Sequence, residues 1–267
     1  MDALRNATLS ADPAGLAAIA RPLWDDLYML VPCYSLAVAT LLRVGPWSAD
    51  KTKERTYVAS GDWFWRPVMI AYNAAMTVFS LVCASTMAYV VFSRHGGEIK
   101  GAECARIGSD PLFRRVVYAF YVSKYVEFAD TLFLIVKGKG VSNLHYYHHC
   151  GAAIVMGMLY HSATEATFIF VTFNGFIHTL MYAYYGLSLL GIRLPGKSHL
   201  TSLQITQFVV GLAWFFSYKD NACYQASPQM MLTYLVTFAY VLMVLLFFVN
   251  FYVSAYVAKT GKDIKLE

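Results

Sequence analysis

Three histidines stand within the five positions 145 to 149 of "LHYYHHC", residues 144 to 150. On a helix His145, His148 and His149 share one face, while Cys150 points about 140° or more away from their mean direction. Imidazole ligates metals, moves protons and attacks activated carbonyls, so the box alone leaves metal chemistry and group transfer both open.

Other polar side chains recur at helical spacing. In "KYVEFADT", Lys124, Glu127 and Thr131 fall at i, i+3 and i+7 on one face, with Asp130 about 60° round from Glu127. The plain reading is an internal ion pair that staples helices. Two carboxylates for one lysine, however, leave negative charge suited to orienting imidazoles. "NGFIHTLMYAYYG" places Asn174, His178, Met181, Tyr182 and Tyr185 on a stripe about 100° wide. Met and Tyr stripes usually pack a core; His178 adds a fourth imidazole. "TSLQITQ" supplies Thr201, Gln204 and Gln207, whose amides suit interhelical hydrogen bonds or substrate contact.

The elements that carry these groups are apolar. Of the 267 residues 58% are hydrophobic and 14% charged, which disfavours an ordinary soluble globule. Seven stretches are long enough to span a bilayer, at about 24 to 43, 67 to 93, 112 to 137, 143 to 160, 166 to 190, 200 to 217 and 230 to 258. Backbone groups in hydrocarbon must bond internally, and the runs are too long for barrel strands. The expected architecture is all-α: one polytopic membrane domain over residues 1–267, a seven-transmembrane-helix bundle. Ionisable groups within spans should face its interior and pair there.

The first 22 residues lack the apolar core of a cleavable signal, so the first span is expected to direct insertion itself. Loops on the N-terminal side hold eight Lys and Arg against twelve on the other, which orients the N-terminus to the lumen and the C-terminus to the cytosol. The glycosylation acceptor "NAT" at Asn6 agrees. This topology puts Cys104 and Cys223 in luminal loops, where an oxidising compartment predicts a disulfide between them.

Diiron membrane enzymes also use an HxxHH box but need several such boxes, whereas this chain has one box and seven histidines. A single zinc held by three or four imidazoles, in an enzyme acting on lipids, stays as the alternative. Nucleophilic chemistry uses more of the residues. A neutral imidazole takes an acyl group from a thioester, a second acts as acid or base, and Glu127 or Asp130 fixes a tautomer. Burial keeps water from the intermediate. Lys137, Lys139, Arg193 and Lys197 lie in loops on the cytosolic side, suited to a phosphate-bearing head group.

The four segments "KYVEFADT", "HYYHH", "NGFIHTLMYAYY" and "TSLQITQ", in this order over residues 124 to 207, resemble the signature motifs of the ELO family of very-long-chain fatty acid elongases. The resemblance implies a condensing enzyme of the endoplasmic reticulum that encloses an acyl tunnel. It would join a long acyl-CoA to malonyl-CoA, giving a 3-ketoacyl-CoA, carbon dioxide and CoA with no metal or other cofactor. It also implies His148 as the acylated nucleophile, with His178 beside it. His145 and His149 then give base and electrostatic support; Lys124, Glu127 and Asp130 form the orienting network. Asn174, Tyr182, Tyr185, Gln204 and Gln207 contact substrate. Implied partners are membrane lipid, the reductase and dehydratase of the elongation cycle and a second copy of the chain, with no nucleic acid. The rival non-enzyme reading is a seven-helix transporter or receptor, although a retinal-type lysine is missing between Lys219 and Lys259. The C-terminal "KDIKLE" lacks the dilysine retrieval pattern of many elongases.

Overall fold

The computed structural model describes residues 34–35, 51–97, 107–137, 139–192 and 194–258; the side chains of 51–62, 223 and 226 lie outside that description. Among the described residues all regular structure is helical. Helix α1, Lys51–Ala88, runs on as a π-helical stretch, Tyr89–Arg94. It is followed by α2 (Pro111–Val126), α3 (Phe128–Val136), α4 (Asn143–Ser162) and α5 (Thr167–Leu189). Then come α6 (Lys197–Phe216), the short α7 (Ala222–Ala226) and α8 (Pro228–Tyr252), which ends in a second π-helical stretch, Val253–Val257.

Local signals set several helix starts. Asp110, Ser142 and Ser227 cap α2, α4 and α8 through side-chain oxygens, and Pro111 and Pro228 occupy first-turn positions where no amide hydrogen is needed. Two elements depart from expectation. Helix α1 starts at Lys51 rather than near 67, because "KTKERTYVAS" is too polar to register as a span yet forms helix. Its Arg66 Nε donates to the Leu189 carbonyl 3.0 Å away, meeting an orphan acceptor at the end of α5. The expected span 112 to 137 is two helices that meet at Glu127. There the Asp130 amide bonds the Glu127 carbonyl three residues back, a tightened turn that brings i and i+3 side chains into line. Lys124 and Glu127 precede that turn, where the Glu127 amide still bonds the Ser123 carbonyl in α-helical fashion, and they share a face as i and i+3 neighbours.

Among the described residues two helices, Trp63–Arg94 and Pro228–Val257, are long and apolar enough to cross a membrane. The second is inverted relative to a water-facing helix. Leu232, Leu235, Leu242 and Leu246 point outward, while Thr233, Thr237, Val241 and Val244 are buried. Hydrocarbon is the medium in which that arrangement is favourable. Of the expected span 24 to 43, Tyr34 and Ser35 alone are described, and both are helical.

Helix α1 lies along α5, α4 packs between α2 and α8, and α6 bridges α5 and α8. Gly175 permits a close α1–α5 approach, since a Cβ there would stand 3.1 Å from the Ser80 carbonyl oxygen. One half of the bundle is a dry core around Met87, Phe113, Phe120, Leu159, Phe215 and Tyr234. The other half receives the first turns of α4, the α2–α3 junction and the C-terminal half of α5.

Candidate active site

Ser142 Oγ accepts the His145 amide at 3.2 Å, so the histidine box occupies the opening turns of α4. His149 is buried, and His145 and His148 are half-buried. The rings cluster: centroids lie 4.1 Å apart for His145 and His149, and 5.5 Å apart for His148 and His149. His145 Nε2 is 2.8 Å from Thr131 Oγ1, which is 2.5 Å from the Tyr34 hydroxyl. His148 meets α8, where the Tyr240 hydroxyl lies 3.2 Å from its Nδ1 and donates to its backbone carbonyl at 2.9 Å.

The charged motif supplies the second half of the site. Lys124 and Glu127 are 3% and 2% exposed, which requires their charges to be paired. Lys124 Nζ donates to Glu127 Oε1 at 2.6 Å and to Asn174 Oδ1 at 3.2 Å, and packs 4.0 Å over the Phe120 ring. Ser123 Oγ, at 3.4 Å, also meets Glu127 Oε1. His178 Nδ1 lies 3.5 Å from that same oxygen but lacks hydrogen-bond alignment. Asp130 belongs to a different branch, accepting from the Tyr182 hydroxyl at 2.8 Å.

Four separate segments are therefore brought together. Asn174 joins the lysine, Tyr182 the aspartate, and Gln204 Nε2 approaches Met181 Sδ at 3.6 Å. Gln207 Oε1 is buried without a hydrogen-bond partner among the described residues, an acceptor facing the interior. Tyr185 is 43% exposed, with its ring edge-on to Tyr184 at 6.0 Å between centroids. Lys139 and Lys197 are exposed and Lys137 half-buried. Asn6, Cys104, Arg193 and the Cys223 side chain lie outside the described residues. Cys150, half-buried, is a free thiol. Among the described residues, no three His, Cys, Asp or Glu side chains are grouped as a metal site requires.

Tyr240 and Tyr34 escaped the motif reading. A signal for Tyr240 existed: Thr233, Thr237 and Tyr240 fall at i, i+4 and i+7 in an otherwise apolar span.

Residues 24–264 match the family described as ELO: GNS1/SUR4 family. The chain belongs to the ELO family. It is similar to the very long chain fatty acid elongase 2 of Mus musculus, at 29% identity over 249 residues covering 90% of this chain and 80% of that protein. Very long chain fatty acid elongase 6 of Rattus norvegicus is 29% identical over 76% of this chain and 78% of its own length. Very long chain fatty acid elongase 7 of Drosophila melanogaster is 32% identical over 74% of this chain and 62% of its own. As an ELO family member the chain stands among proteins named for fatty acid elongation, and the four motifs that converge here all lie within the matched residues.

Proposed function

We propose that this chain is an elongase-type condensing enzyme, a very-long-chain 3-oxoacyl-CoA synthase, embedded in the endoplasmic reticulum membrane. It crosses the bilayer seven times with a luminal N-terminus and a cytosolic C-terminus. Acyl-CoA transfers its acyl group to His148, and the carbanion left by decarboxylation of malonyl-CoA then takes it. The products are 3-ketoacyl-CoA, carbon dioxide and CoA. The observation that carries this reading is the half-buried His148 beside the buried His149, with His178 buried against the Lys124–Glu127 ion pair, in a chain that belongs to the ELO family.

Each group has work to do. The protein interior sequesters the acyl-imidazole from water. His178, held beside Glu127, stabilises the enolate oxygen as it forms. Lys124 holds Glu127 and Asn174 in place and keeps the site near neutrality. His145 and His149 extend the imidazole set, Tyr182 and Asp130 brace α5 against α3, and Gln204 and Gln207 line the acyl path. Lys137, Lys139, Arg193 and Lys197 receive the CoA phosphates. A reductase and a dehydratase must then process the 3-keto product.

Incubation with acyl-CoA alone, followed by acid quench and peptide mapping, tests the two-step route. An acyl adduct on His148 supports it. A label on Cys150, or none while condensation proceeds, overturns it.

A further inference from the structure

We infer that Tyr240 is a positioning residue that fixes the tautomer of His148, keeping the proton on Nδ1 and the lone pair on Nε2. The inference deepens the proposal above and rests on His148 being the acyl acceptor.

Proton counting carries it. A phenol has one proton to donate and lone pairs to accept with. The Tyr240 hydroxyl touches two groups of His148, the backbone carbonyl oxygen at 2.9 Å and ring Nδ1 at 3.2 Å. The carbonyl only accepts, so the phenol proton goes to it; the reverse assignment would set two oxygen lone pairs against each other. Nδ1 must then carry a hydrogen and donate to the phenol oxygen. Which ring nitrogen is protonated follows from the hydrogen bond the other makes, and Nε2 is left unprotonated and nucleophilic.

A second observation shows that the tyrosine is held there. Its ring lies against bare backbone at Gly151, where an added Cβ would come within 2.2 Å of Tyr240 Cε2. Tyr147, one turn earlier on α4, also stacks on it at 5.7 Å between centroids. Two α4 residues thus seat the ring of this α8 side chain, and the hydroxyl meets His148 without having to search for it.

The steps balance with the Nδ1 proton never leaving. Nε2 attacks the thioester carbon; the C–S bond breaks and CoA departs as thiolate, leaving a cationic N-acylimidazolium whose Nδ1–H still donates to Tyr240. Malonyl-CoA loses carbon dioxide, and the electron pair of that bond becomes the enolate. The enolate carbon bonds to the acyl carbon, the C–Nε2 bond breaks, and its pair returns to Nε2. Neutral His148 is regenerated in its starting tautomer. Keeping the Nδ1 proton preserves the positive charge that makes the acyl group a good electrophile.

The test uses the full-length protein in lipid nanodiscs, checked for monodispersity. Tyr240→Phe should slow single-turnover acyl-adduct formation about tenfold, with KM for acyl-CoA changed less than about twofold. Gly151→Ala, which retains the hydroxyl but displaces the ring, should lose rate likewise. Nitrogen NMR of ¹⁵N-histidine protein, assigned by loss of the His148 signal in His148→Gln, should find Nδ1 protonated in the wild type and a shift toward protonated Nε2 in Tyr240→Phe. A protonated Nε2 in the wild type, or wild-type adduct rates in both variants, overturns the inference. If the wild type forms no adduct yet still condenses, the acyl-histidine route fails instead; the nitrogen spectrum, which needs no substrate, still reads the tautomer.

Discussion

Two clusters in this molecule contain the same three groups, a cation, a carboxylate and a histidine, and treat them differently. At the start of α2, Asp110 accepts from the Leu112 and Phe113 amides at 2.7 and 3.3 Å, from Arg94 at 3.0 Å, and faces His95 at 3.0 Å. Both its oxygens are used, and Arg94 stays 41% exposed. At the α2–α3 junction Glu127 has its described partners on one oxygen, Oε1, and it meets a buried lysine and a histidine that is near but unaligned. A carboxylate saturated by a helix N-terminus is a fastener. One that pairs with a buried lysine and leaves a nearby imidazole nitrogen without a hydrogen bond is not saturated in that way, and the proposed reaction would draw on that unmet donor or acceptor.

The largest expected contrast lies in the histidines. His148→Gln should lower condensation by about a thousandfold or more, the order seen when a nucleophile is lost, whereas His95→Gln should leave kcat within about twofold. Equal losses in acyl-CoA condensation assays would erase the distinction between the two clusters.

Glu127→Gln comes next. It strands a buried ammonium and should destabilise the protein by about 3–5 kcal/mol in denaturant titrations, besides lowering turnover. Replacing both partners, Lys124→Met with Glu127→Leu, should recover most of that stability and none of the activity. Recovery of activity in the double variant would make the pair a staple after all.

At the other cluster Asp110→Ala should cost about 1–2 kcal/mol through the lost cap, with kcat unchanged. Burial raises the Asp110 pKa, but the His95 hydrogen bond, the two amides and Arg94 outweigh it and hold the carboxyl below its usual 3.8. The unfolded chain therefore binds this proton more readily. Its stabilisation is complete above the ordinary carboxylate range and fades as pH falls below about 4. Thermal melts between pH 6 and 3 should show a shallower acid loss in Asp110→Asn than in the wild type.

Smallest is Tyr182→Phe, which removes one hydrogen bond to Asp130 and should lower stability by about 1 kcal/mol with a modest fall in turnover. A large fall would move Asp130 from bracing into the reaction itself.

Much of this arrangement is legible in one dimension. The expected helices 143 to 160 and 166 to 190 match Asn143–Ser162 and Thr167–Leu189 closely, because apolar runs and Ser142 capping are local signals. The Lys124–Glu127 pair is also local, three residues apart. The start of α1 was not legible from hydropathy, since its first turns are polar, and neither was the break at Glu127, since apolar residues continue across it.

By itself the sequence determined which side chains share a helical face, that an imidazole box and buried charge occur together, and that the family motifs stand in order. These are matters of spacing along one helix. Only the tertiary structure decided the partners: Lys124 with Asn174, Tyr182 with Asp130, and Tyr240 with His148 across 92 residues of chain. Helical periodicity says which way a residue points relative to its neighbours in sequence. What it meets depends on how the helices rotate and pack, and small steps such as Gly151 and Gly175 set that contact only once the bundle is assembled.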